Sequence, residues 1–169
     1  MTGDGGGVEA DTPPELKPGE YDKVTVDGGT TNLADDGVYV VKNLEIKNHG
    51  TLALPAGRDN VTIYVTQNLS VEGQEAIANL TRKAPNLKIF YTGTNPVNLQ
   101  GGSKSYFTLM APKADISLIG EAGNPTDFFG AMVGKKVTVE NANFHYDTST
   151  EGIGTGADAS ALTLLSRHR

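Results

Sequence analysis

Between residues 19 and 147 the chain alternates short apolar stretches with polar turns, and the alternation recurs. Val38 and Val40 precede Leu44 and Ile46, Ile63 and Val65 precede Leu69 and Val71, and Ala131 and Val133 precede Val137 and Val139. A polar pair separates the two halves each time: Lys42-Asn43, Gln67-Asn68 and Lys135-Lys136. Two looser copies lie between them. Ile89 and Tyr91 lead to Val97 and Leu99, and Leu109 and Ala111 lead to Ile116 and Leu118. A period of two sends alternate side chains to opposite faces, so each stretch predicts a strand with one buried face. Marked at the last inward residue of the first strand, the copies fall at 40, 65, 91, 111 and 133, in steps of 25, 26, 20 and 22 residues.

A single unit of this size cannot bury its own apolar face. Units stacked about 4.8 Å apart can, because each strand pairs in parallel with the one below and like residues form ladders. Val65 is then expected over Val40, and Leu69 over Leu44. The sequence therefore predicts an all-β fold, a right-handed parallel β-helix (β-solenoid) of about five to six short coils. A β-sandwich also spaces short strands by turns, but the in-phase recurrence favours the solenoid.

The solenoid is expected to occupy 19–166 as a single domain. Residues 1–18 carry Gly3, Gly5, Gly6, Gly7, Pro13, Pro14 and Pro18 with few apolar groups, and predict a flexible leader. The stretch Gly73–Pro85 interrupts the repeat. Ala76, Ile77, Leu80 and Ala84 have helical spacing there, which predicts an excursion containing a helical turn. After Asp147 the chain is Gly- and Thr-rich up to Ser160. Ala161–Ser166 is expected to be a last strand returning to the core, with 167–169 an exposed tail.

Composition narrows the reading. Gly (21) and Pro (8) are frequent among the 169 residues, as a turn-rich β fold requires. No apolar run approaches the length of a membrane span. The first 20 residues lack the apolar segment of a signal peptide. With no Cys, disulfides, thiolate nucleophiles and Cys-ligated zinc are excluded. A net charge of -6 opposes nucleic acid and anionic lipid as main partners, and DNA binding is expected to be negligible.

Candidate chemistry is sparse. His145-Tyr146-Asp147 has the most specific look, because His145 and Asp147 stand two apart and so share a strand face. The plainer interpretation is that Phe144 and Tyr146 close the core while His145 and Asp147 hydrogen-bond at the last coil. Solenoids also host polysaccharide-cleaving enzymes, which makes the carboxylates Asp115, Glu121, Asp127, Glu140 and Asp147 candidates for a glycoside-cleaving pair. They are scattered, and the four Arg (Arg58, Arg82, Arg167, Arg169) fall in loops or at the terminus. Asp27-Gly28-Gly29 and Asp35-Asp36-Gly37 read as turns rather than calcium loops, and Gly3–Gly7 lacks the strand and Lys-Ser/Thr of a phosphate loop. Thr62, Thr108 and Thr138 do not form the regular array of an ice-binding face. The sequence thus predicts no catalytic, cofactor-binding or metal site. If a site exists, Asp115, Asp127, His145, Tyr146 and Asp147 are the residues to examine.

Several stretches together resemble one bacterial surface-protein domain. They are Pro18-Gly19-Glu20-Tyr21, Gly37–Lys42, Asn60–Val65 followed by Leu69–Gly73, Ala111–Ile116, Phe128–Lys135 and Phe144–Asp147. The chain resembles a domain of unknown function found in pilus-associated minor components and in "choice-of-anchor" surface proteins, over roughly 18–166. Glu72-Gly73 departs from the Ser/Gly corner usual there. The resemblance implies a β-solenoid outside the cell, behind an anchoring segment that this stretch lacks, and it supplies no catalytic residues. It implies a non-enzymatic extracellular structural or adhesive module, a soluble fragment of a pilus- or envelope-associated protein. The expected partners are other surface or pilus proteins and surface glycans, without direct membrane contact. Two alternatives are a carbohydrate-binding or carbohydrate-cleaving solenoid and a cytoplasmic polymer-forming protein resembling the bactofilins.

Overall fold

A computed structural model describes residues 9–72, 76–100, 104–121, 123 and 126–147. They form thirteen strands. These are β1 (Glu9–Asp11), β2 (Glu15–Leu16), β3 (Gly19–Asp27), β4 (Thr30–Leu33), β5 (Gly37–Lys47), β6 (Thr51–Leu54) and β7 (Val61–Val71). They continue as β8 (Ile77–Asn79), β9 (Leu87–Tyr91), β10 (Val97–Gln100), β11 (Lys104–Ile119), β12 (Thr126–Glu140) and β13 (Ala142–Tyr146). The larger sheet runs β1-β3-β5-β7-β9-β11-β12-β13 with β10 beside β11, and the smaller runs β2-β4-β6-β8. Every pairing is parallel. The chain is a β-solenoid of about six coils.

Corners are visible in the burial pattern. Along β5 the buried positions step from Val41 to Leu44, and along β7 from Val65 to Leu69. Register slips between Val41 and Asn43 and again between Ala111 and Asp115. Each long strand thus turns one corner and supplies two sides of a coil, and the smaller sheet supplies a third. The polar pairs Lys42-Asn43 and Gln67-Asn68 occupy these corners as expected. Asn43 is in register with Asn68, and Asn95 Nδ2 donates to Asn68 Oδ1 at 3.0 Å, so corner amides stack as a ladder of their own.

The interior is a set of aliphatic and aromatic ladders. Leu69 lies over Leu44, as the repeat predicts. The expected step from 65 to 91 is realised as Val65 against Tyr91. Phe107, Phe128 and Phe144 close the core near the end of the stack, with Phe128 5.2 Å from Phe144 and edge-on to Phe107 at 5.0 Å. Gly130 faces inward there at φ 150°, where a Cβ would strike the Phe107 carbonyl oxygen.

Two strands are phased differently from expectation. In β5 the buried residues are Tyr39 and Val41, in register with Ile63 and Val65, while Val38 is 51% exposed and Val40 also points outward. In β12 Met132 is the core residue, and Ala131 and Val133 point to the outside of the sheet. Both strands are apolar on both faces, so periodicity alone carries no parity there.

Order also begins earlier than Pro18. β1 pairs with β3 and β2 with β4, so residues from Glu9 onward already form a coil. Parallel neighbours satisfy the backbone of a stretch too polar to signal a strand. The predicted excursion at Gly73–Pro85 holds strand β8, which extends the smaller sheet, and a 3₁₀ turn at Ala84–Asn86. Asn79 ends β8 while buried and fully bonded. Its Nδ2 donates to Lys83 O and Tyr106 O, each at 2.9 Å, and its Oδ1 accepts from Thr81 N and Oγ1. The last strand expected at 161–166 and the tail at 167–169 lie outside the described residues.

Leu69→Asp places an unpaired charge inside a stacked ladder and is expected to cost about 4 kcal/mol or more, whereas Val38→Asp is expected to cost less than about 1 kcal/mol. Thermal unfolding of the two variants checks the phase. Burial raises the Tyr39 phenol above its ordinary 10.0, against a hydrogen bond to Asp35 O that lowers it. The associated stability is complete below the ordinary value and is lost as pH climbs through the higher folded one. Melting temperature is therefore expected to fall above about pH 10, and less steeply in Tyr39→Phe.

Candidate functional site

Of the five candidate residues, the structure joins Asp127 and His145. Asp127 is the second residue of β12 and His145 lies on β13. The parallel register sets His145 beside Phe129, two residues beyond Asp127 on the same face. His145 Nε2 stands 3.1 Å from Asp127 Oδ1, and Asn143 Nδ2 donates to the same oxygen at 3.1 Å. With a carboxylate as partner, Nε2 carries the proton. The imidazole stacks on Phe129 at 4.4 Å and 11°, and Phe129 stacks on Tyr106 at 4.9 Å and 13°. The outcome is an outward ladder Tyr106–Phe129–His145 across three coils.

Of the other candidates, Asp115 is placed apart from this pair. Asp115 is exposed just past the β11 corner, in register with Lys136. It lies eleven residues along β11 from Lys104, the register partner of Asp127. Tyr146 packs against the core and against an outer cluster of Met110, Ala131 and Val133. The Asp147 backbone N–H donates to Gly130 O at 2.9 Å and so continues the β13 pairing. Among the described residues no three His, Asp or Glu side chains converge as metal ligands.

A second polar locus was not legible as a motif. On the second side of the coils, Asn43–Val71 of the β5–β7 pair and Val97–Ile119 of the β10–β11 pair are each in register, but β7 is not paired with β10. Pro96, which lacks an N–H, introduces β10. The break leaves an open cleft of about 400 Å³, lined by Asn68, Ser70, Glu72, Asn95, Pro96, Asn98 and Gln100, with the core residues Leu69 and Val71 at its edge. Asn95 and Asn68, bonded to each other, both belong to this lining. Among the described residues, amides and a hydroxyl dominate its polar lining, with one carboxylate from Glu72.

A third feature joins two turns. Asp36 Oδ1 accepts from Asp59 N at 3.0 Å, and the two carboxyls share a hydrogen bond. That bond holds Asp36 below the usual carboxylate range and lifts Asp59 above it. Both groups are exposed, so the pair is a surface contact between adjacent coils.

Chemically, the His145–Asp127 pair can hold a proton, but the ring is committed on one face to Phe129. The stacked ladder is expected to anchor β13. Phe129→Ala removes two stacks worth about 0.5–1.5 kcal/mol each, so amide exchange over Ala142–Tyr146 is expected to accelerate about fivefold or more. Exchange there at the parent rate would show that the ladder contributes nothing to holding the strand.

No curated protein and no solved structure matches the chain. A family model described as a domain of unknown function, DUF7305, matches residues 3–153, which include every coil described above. The chain belongs to the DUF7305 family.

Proposed function

We propose that this chain is a non-enzymatic structural and adhesive module of a pilus- or envelope-associated protein outside the cell, with other surface or pilus proteins and surface glycans as its partners. The cleft beside β7 and β10 is the observation that supports this reading best. Its polar lining is mostly neutral, from Asn68, Ser70, Asn95, Asn98 and Gln100, with Pro96 beside them. Neutral donors and acceptors suit the hydroxyls of sugars. Glycosidic cleavage ordinarily uses a pair of carboxyl groups flanking the bond, and among the described residues the cleft lining holds one carboxylate, Glu72. The parallel stack adds a rigid support, since each coil is fixed by its neighbours.

The test is titration of the purified protein with neutral and acidic oligosaccharides, followed by amide chemical shifts. Binding without turnover is expected, with shifts centred on Asn98 and Gln100 and weakened severalfold in Asn98→Ala and Gln100→Ala. Turnover that disappears in His145→Ala or Asp127→Ala would replace this reading with the carbohydrate-cleaving alternative. Filaments formed by the purified protein would favour the bactofilin-like one. Saturable binding that ignores both cleft variants would remove the cleft from the proposal.

A further inference from the structure

A second, smaller pocket adjoins the cleft. Val71 and Gln100 line both cavities, Val71 at the end of β7 and Gln100 at the end of β10. These are the strand ends between which the second-side pairing is missing. Gln100 is exposed and Val71 is buried, so the two stand where the outer surface of the coils gives way to the core. The pocket forms where the third side ends. Among the described residues the smaller sheet stops at β8. Ala76 and Ile77 lead into and begin that last strand, and beyond them Leu99, Phe107, Leu118 and Phe128, from β10, β11 and β12, complete the wall.

Its volume is about 20 Å³, room for one group the size of a water molecule or a methyl. A buried water takes about three hydrogen bonds. Apart from Gln100 and Ser105 the described lining is apolar, which favours a methyl over a water. The cleft outside presents carboxamides and a hydroxyl. One common substituent of sugars matches both cavities at once. An acetamido group carries its methyl just beyond a polar amide, so the amide can stay in the polar cleft while the methyl enters the apolar pocket.

Resting on the glycan reading of the cleft, we propose that its ligand is a glycan of N-acetylated hexosamines, with an acetamido methyl seated in the pocket beside Ile77, Leu99 and Leu118. The Gln100 carboxamide lines both cavities and pairs with the acetamido amide: Nε2 donates to its carbonyl oxygen, and Oε1 accepts from its N–H. A hydroxyl at the same ring carbon makes neither the pair of amide bonds nor the methyl contact, so the pocket selects between sugars that the cleft alone would treat alike.

Chitotriose and cellotriose share ring type and linkage and differ in the acetamido group, so together they isolate its contribution. In titrations of the full chain, chitotriose is expected to bind at least about fivefold more tightly. Ala76→Val fills the pocket from its wall and is expected to bring chitotriose to within about twofold of cellotriose, with cellotriose affinity kept. Asn98→Ala is expected to weaken both sugars and preserve their ratio. The parent protein supplies a measurement that needs no variant: nuclear Overhauser contacts from the acetyl methyl protons to the methyl groups of Leu99 and Leu118. Equal binding of the two trisaccharides, weakened alike by Asn98→Ala, would overturn the pocket assignment and leave the glycan cleft standing. A chitotriose preference that survives Ala76→Val, without acetyl contacts to Leu99 and Leu118, would overturn the assignment as well. Binding of neither trisaccharide would overturn it too, and the wider oligosaccharide titration would then decide the cleft separately.

Discussion

Everything in this molecule follows from the inability of one coil to bury its own apolar face. A strand such as Val61–Val71 has five inward side chains and no partner within its own turn of chain. The next coil, one strand spacing away, provides that partner, and parallel pairing forces position to fall on position. Leu44 beneath Leu69 is then a geometric necessity once the backbones are in register. The same constraint stacks residues that contribute little burial. Corner asparagines lie over asparagines, the phenol ring of Tyr64 over Phe90, and the imidazole of His145 over Phe129. Each ladder is a by-product of register, and the interior ones carry most of the stability.

The sequence is legible where one face is polar. Ile63 and Val65 alternate with Thr62, Tyr64 and Thr66, and their inward orientation can be read directly. Gly37–Val41 and Phe128–Val133 give no such contrast, because Val38-Tyr39-Val40-Val41 is apolar at every position. A one-residue slip exchanges the two faces of a strand. Register with Ile63 and Val65 decides that Tyr39 and Val41 go in, and no local feature of β5 carries that information. The ambiguity has a structural cause, since these strands pack apolar side chains on both sides.

The candidate site was readable in composition but not in pairing. A strand argument couples His145 to Asp147, two residues on. The solenoid couples it to Asp127, eighteen residues back, because the preceding coil is the nearer neighbour. The polar cleft was invisible for a related reason. It arises from a missing pairing between two strands that are each well formed, and a missing pairing leaves no mark on the periodicity of either. Asn79 is a similar case: an ordinary residue in sequence, it is buried and fully bonded only because Lys83, Tyr106 and Thr81 converge on it.

The main sheet begins with β1 and ends with β13, so the described chain enters at one end of the stack and leaves at the other, about 34 Å away over seven strand spacings. Tension applied through those two ends runs perpendicular to the strands. It loads the ladder hydrogen bonds of the outermost coil one after another, as a zipper is opened, instead of shearing a whole strand at once. Such a stack would lengthen under pull by shedding terminal coils in sequence, each release paying out roughly twenty residues of slack, about 65 Å of extended chain, while the inner coils stay closed.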